Sequence, residues 1–216
     1  MYRRSWMICA SAVMAASLAA QLGCTRALAT AVYLVKGTND PAEFNELKDK
    51  RVAVVCRSQV DPGFEGAGVD KQLALAVGEL LRKRVSRIKV IDQREVDNWI
   101  DENPWEDFSD IGRALDDCDM VVGIDLKSFS LYQHQTLYQG NAEVKLIVCD
   151  MSQAGKPVWE KDMDAITYPL NHSRPAQDET PAQFRRKYVD VLAKEIGENF
   201  YAHDHFSKNK EALYDN

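Results

Sequence analysis

Two histidines flank an aspartate in the segment AHDHF, His203-Asp204-His205. On a strand that spacing would turn both imidazoles to one side, as a metal site requires. No third ligand lies close in sequence, so a solvated helix end is expected there and no metal. Carboxylates cluster in DNWIDENPWEDFSD and LDDCDM, where paired acids could divide proton transfer or hold calcium. The D-x-D-x-D-G order of a calcium loop is missing, and helix caps with solvated faces account for most of these acids. The glycine-rich DPGFEGAG has neither a G-K-[ST] ending nor a G-x-G-x-x-G turn, so it does not describe a phosphate cradle. Cys56, Cys118 and Cys149 are far apart, form no CxxC pair, and each borders an apolar run. Buried thiols are expected, while the sequence does not choose a disulfide among the three. No catalytic residue and no cofactor is assigned; His134 is expected in a solvent-facing turn.

A different chemistry is written at the amino terminus. Arg3 and Arg4 precede the uncharged, Ala-rich stretch SWMICASAVMAASLAAQLGCT, which has the order of a secretory signal. Few Leu, Ile or Phe occur in it, so it would make a poor permanent membrane helix. Cys24, preceded by Leu22 and Gly23, resembles the lipidation cysteine of bacterial lipoproteins, whose thiol takes a diacylglycerol before the leader is cut. Gln21 departs from that pattern, where an apolar residue is usual. Cleavage near the alanines with secretion, and retention of an uncleaved leader, are the alternatives. The resemblance implies a signal peptide over 1–23, a palmitate-bearing membrane anchor at Cys24, and a place in the bacterial cell envelope facing the periplasm or exterior.

Of the 216 residues, 45% are hydrophobic and 28% charged, which suits one folded domain. The formal charge of −6 becomes more negative once Arg3 and Arg4 leave with the leader. Nucleic acid is excluded as a partner by the want of a basic footprint. Attachment to a membrane should come from acyl chains rather than from a basic patch.

The elements follow from periodicity. Residues 24–50 are expected to be a tether ending in a short helix, capped by Asn39 or Asp40 with Pro41 at its first position. Arg51–Cys56 is a β-branched run and therefore a buried strand. Asp70 is expected to cap a helix carrying Leu73, Ala76, Val77, Leu80 and Leu81 on one face. Ile88–Asp92 supplies a second strand and completes a βαβ unit. Asp92 and Glu95 have capping-box spacing for a helix bearing Val96, Trp99 and Ile100, and Ser109 is expected to cap another through Leu115.

Beyond that point the pattern alternates. Met120, Val122, Ile124 and Leu126 share one side, with Asp125 and Lys127 on the other. Val144, Leu146 and Val148 repeat this against Glu143 and Lys145, and PVWEKDMDA returns as a third strand. Thr180, Pro181 and Gln183 open a helix with Phe184, Tyr188, Val191, Leu192 and Ile196 in one stripe. The expected fold class is α/β: a single domain over 51–206 with a mixed β-sheet, in which a βαβ unit precedes an antiparallel three-strand meander, packed by helices and closed by a C-terminal helix. A polar tail spans 207–216.

The segments KRVAVVC, LAVGELLRKRVSRIKVIDQREVDNWI, LDDCDMVVGIDLKSFS and AEVKLIVCDMSQAGKPVWEKDM together resemble a known group. It is the α/β periplasmic domain shared by curli-secretion lipoproteins, the lipoprotein activators of penicillin-binding proteins, and the TolB amino-terminal domain. DPGFEGAGVD and NPWEDFSDIG have no counterpart in that group, and no apolar pore-forming hairpin is present. The resemblance implies a non-enzymatic, lipid-anchored protein that binds an envelope protein during assembly or regulation. A periplasmic hydrolase or metal-dependent enzyme is the alternative, and a secreted binding module a third. Trp99, Trp105 and Phe108 fit either a core or an exposed aromatic rim. Partner binding is expected at Trp99, Trp105, Phe108 and Tyr132, on the segment Trp99–Phe108 and a hairpin loop at Tyr132–Tyr138.

Overall fold

A computed structural model describes residues 39–59, 67–134 and 136–204. The leader, Cys24, most of the tether, His205 and the polar tail lie outside the described residues. The large unit, beginning at Pro41, is built on one mixed sheet. Its strands are β1 (Arg51–Ser58), β2 (Lys89–Val90), β3 (Met120–His134), β4 (Leu137–Asp150) and β5 (Lys156–Asp162), in the order β2-β1-β3-β4-β5. β1 pairs in parallel with β2 and β3, and the remaining neighbours along that order are antiparallel. The helices are α1 (Val69–Arg84), α2 (Gln93–Glu102), α3 (Phe108–Ala114) and α4 (Pro181–Gly197). The expected mixed α/β domain with a C-terminal helix is therefore the observed one.

Two cores flank the sheet. Val52, Val54, Val122, Ile124, Leu126, Val144, Leu146 and Val148 pack with α1 and α4 in the larger. Ala53, Val55 and Val121 pack with Val96, Phe108 and Ile111 of α2 and α3 in the smaller. This explains why Val52–Cys56 is apolar without alternation: both faces of β1 are covered, as in the middle of a parallel sheet. On β4 the alternation survives, because Glu143 is exposed and Lys145 half-exposed where no helix covers that face. Lys145 instead pairs with Glu160 at 2.7 Å on the neighbouring strand.

Several boundaries differ from those expected. No helix follows Pro41; residues 41–50 run through bends and turns that bury Phe44 and Leu47, while Asn39–Asp40 is a two-residue strand. The chain enters α1 through Gly68, in the left-handed region at φ 73°, so α1 begins before Asp70 rather than after it. Asp70 lies in the first turn, where its charge favours the helix amino terminus. α3 is capped by Asp107, with Asp110 completing the capping box, and Ser109 is buried inside it. Asp92 caps α2 as expected, accepting from the Arg94 amide. Thr180 and Gln183 form the expected reciprocal box at α4, with Pro181 in the first turn.

The largest difference is the hairpin. The expected loop Tyr132–Tyr138 is almost all strand: β3 continues to His134, β4 starts at Leu137, and Tyr132 lies opposite Tyr138. Two further short strands, β6 (Ile166–Tyr168) and β7 (Arg174–Pro175), pair with the far half of β4, so the meander is longer than three strands. Aromatic packing beneath α4 supports this extension. Tyr138 stacks on Phe184 at 4.8 Å, Phe129 on Tyr188 at 5.6 Å, and Tyr132 meets Tyr138 at 4.9 Å.

Candidate functional site

The acidic cluster Asp97–Asp110 resolves into structural work. Asp101 takes two 2.7 Å hydrogen bonds from Lys71, and Asp110 accepts from the amides of Glu106 and Asp107. Those backbone donors hold the Asp110 carboxyl below its ordinary range. In the second cluster, Asp119 accepts from the Arg51 amide at 2.7 Å and ties β1 to the start of β3. Among the described residues, no group of three His, Cys, Asp or Glu side chains could hold a metal ion. His203 faces Glu198 at 3.8 Å, and His134 is exposed at the end of β3.

Cys56, Cys118 and Cys149 are free thiols. Burial is the first cause that pushes each of them above the ordinary thiol range. They are thus held protonated, the opposite of an activated nucleophile.

What the structure does assemble is a charged and aromatic cluster where β1 ends beside the middle of β3. β1 carries Arg57 beside Asp125 of β3, since the two strands run in parallel register. The Arg57 Nε donates to Asp125 Oδ1 at 3.3 Å and one terminal nitrogen to Oδ2 at 3.4 Å. Its other terminal nitrogen donates to the Glu106 carbonyl at 2.7 Å, across the loop between α2 and α3. Gln59 adds a 2.6 Å hydrogen bond to Asp125 Oδ2. The guanidinium also lies 5.5 Å from the Trp105 ring centre and 5.0 Å from that of Phe108. Contacts of this kind favour Arg over Lys, because the guanidinium plane stacks on the rings while its edges donate.

Asp125 is only 5% exposed, so the expectation of a solvent-facing carboxylate is corrected. α2 and α3 cover this part of the sheet, and the buried charge persists because Arg57 and Gln59 satisfy it. The Arg57 side chain stays 36% exposed, so the edge of this ion pair reaches the surface.

The expected partner-binding residues divide. Trp105 and Phe108 are together, ring centres 5.6 Å apart. Trp105 is half-buried, whereas Phe108 sits inside the smaller core against Gly123 of β3. Phe108 is thus the packed support of this cluster rather than part of its rim. Trp99 is half-buried against the same core, and its carbonyl accepts from Asn103. Tyr132 is elsewhere, in the aromatic packing of the hairpin with the larger core. Arg57, Gln59 and Asp125 were not singled out as site residues from sequence; the legible signal was an arginine directly after a buried β-branched run.

No family model matches the chain, and no curated protein does. Solved structures with a similar chain path include a PelC dodecamer variant from Paraburkholderia phytofirmans, at 10% identity and TM-score 0.41, covering 76% of this chain and 96% of that one. A lipoprotein from Neisseria meningitidis is 13% identical with TM-score 0.42, covering 69% of this chain and 99% of that one. A minor lipoprotein from Acinetobacter baumannii is 10% identical with TM-score 0.37, over 71% of this chain and 92% of that one.

Proposed function

We propose that the chain is a lipid-anchored, non-enzymatic protein of the bacterial envelope that binds a protein partner during assembly or regulation. The observation that carries the address is the leader, with Arg3 and Arg4, the Ala-rich apolar run, and Gly23–Cys24 at its end. The resemblance to curli-secretion and penicillin-binding-protein-activator lipoproteins supports the same compartment. For the binding surface the support is composition and fixation. Trp and Arg dominate the energetics of protein interfaces, and here Arg57 is fixed on β1 by Asp125 while Trp105, from the loop between α2 and α3, packs against it. A pre-positioned arginine loses little entropy on docking, so it suits recognition of a carboxylate or backbone carbonyl on a partner.

Two experiments test the two parts. Cells fed a fatty-acid analogue should label the wild-type chain, and the Cys24→Ser variant should take no label and leave the membrane fraction. An unlabelled wild type, with Cys24→Ser still membrane-bound, sinks the anchor. For the surface, Trp105→Ala and Arg57→Lys, the latter keeping a cation beside buried Asp125 while losing the planar fork, should each lower the yield of crosslinked envelope partners at least about tenfold, the scale of an interface anchor residue. Unchanged capture by both variants, at unchanged melting temperature, removes this surface from the proposal.

A further inference from the structure

The net charge of −6 is not spread evenly over the chain. Residues 82–91 hold Arg82, Lys83, Arg84, Arg87 and Lys89 and no acid, and they run from the last turn of α1 through a short connection into β2. The fold adds Lys48 and Lys50 to this group. The Lys89 amide donates to the Lys50 carbonyl at 2.9 Å, Arg51 and Lys89 are register partners of β1 and β2, and Arg87 pairs with Asp49. Over residues 46–50 and 79–94 there are eight cations and four acids, a local charge of +4 that leaves −10 on the remainder.

The acids among them do not cancel the corner. Lys83 reaches Glu79 only at 3.7 Å and keeps its side chain 72% exposed. Lys48 and Lys89 are exposed and make no ion pair among the described residues. On the other side of β1 the sign changes, because Asp116, Asp117 and Asp119 lie just before β3 and Asp119 accepts from the Arg51 amide.

This corner is also where the chain enters the large unit. Seventeen residues lead from Cys24 to Pro41 and seven more to Lys48, with Phe44 and Leu47 buried on the way. β1 then leads away from it. From Arg51 to Arg57 the strand covers about 20 Å, so the Arg57–Trp105 cluster lies at the far end of the strand that starts at the corner. Acyl chains hold a protein on a bilayer without setting which way it faces. A cation cluster sets that direction, since anionic headgroups attract it within a Debye length and repel the acidic remainder.

We infer that this corner docks on anionic phospholipid headgroups of the membrane that carries the anchor, turning the Arg57–Trp105 cluster away from the bilayer. The inference rests on the lipid anchor proposed above: the acyl chains hold the protein and the corner orients it.

The test uses the full chain purified from membranes in mild detergent and reconstituted with vesicles of phosphatidylcholine, alone or with phosphatidylglycerol added. Flotation with the neutral vesicles reads the anchor, and amide hydrogen exchange over residues 85–88 reads the corner. Phosphatidylglycerol should slow that exchange at least about tenfold, and added salt should reverse the slowing. Exchange over residues 103–107, around Trp105, should not change. Lys48→Glu with Lys83→Glu and Lys89→Glu takes the local charge from +4 to −2 and should abolish the slowing, with flotation and melting temperature unchanged. A chain that fails to float with neutral vesicles refutes the anchor alone, and the corner is then judged by the same exchange on the anionic vesicles. Equal exchange on the two kinds of vesicle overturns the docking. So does slowing that survives the triple variant, or slowing around Trp105 instead of at the corner. Crosslinking of the corner to an acidic protein, with no change on anionic vesicles, would assign it to that protein instead.

Discussion

Ile124→Asp should abolish the folded state or lower its stability by about 4 kcal/mol or more, the cost of burying an unpaired charge. Ile124 is fully buried on β3, paired with Cys56 on one side and Leu146 on the other, inside the larger core. Among the described residues the core around it includes Val122, Leu126, Val144 and Val148, none of which could neutralise a carboxylate. Asp125, one residue along, points into the other layer and gives a different outcome. Removing it with Asp125→Ala deletes the partner of Arg57 and Gln59 but leaves Arg57 its bond to the Glu106 carbonyl. With the Arg57 side chain 36% exposed, water offsets part of the loss, and a cost of about 1–3 kcal/mol is expected. Urea unfolding followed by circular dichroism separates the two. Equal tolerance at both positions would show that the strand register is wrong.

Gly140→Val should also destabilise the fold, though Gly140 has no chemistry of its own. A Cβ there would lie 2.5 Å from the Tyr188 ring, a contact that real side chains do not sustain. Tyr188 has no room to yield. Its ring stacks on Phe129 at 5.6 Å and on Phe184 at 6.5 Å, and its hydroxyl donates to the Ile166 carbonyl at 2.7 Å. Burial pushes the phenol well above its ordinary range, so the proton that makes this hydrogen bond stays in place at any working pH. Overpacking of this kind costs about 1–3 kcal/mol or more. Tyr188→Ala, which opens a cavity instead, should cost about 3–5 kcal/mol. The double variant is the decisive measurement: its cost should fall well below the sum of the two, because the cavity accepts the new side chain. Additive costs would show that Gly140 and Tyr188 do not touch.

Both predictions concern the hairpin, and there sequence and structure part most clearly. Tyr132–Tyr138 contains Gln, His and Thr, and a stretch so polar carries no period-2 apolar signal of its own. It is strand because Tyr138 and Phe129 are covered by α4, an element some fifty residues later. A local window has no access to that cover. Nor does it show β6 and β7, whose pairing with β4 is likewise decided at a distance.

The sequence by itself determined the parallel β1–β2 pair, the antiparallel β3–β4–β5 run, and the caps at Asp92 and Thr180. These rest on interactions within a few residues, or on periodicity that one buried face imposes along a strand. Only the tertiary structure decided which polar positions are polar because they meet water. Asp125 and Glu143 both read as outward residues of alternating strands, yet one is buried and the other exposed. The difference is that α2 and α3 cover the sheet over Asp125 and do not reach Glu143, and Arg57 can neutralise a charge only after β1 has paired with β3. Alternation fixes which side of a strand a residue faces; what lies on that side depends on packing between elements distant in the chain.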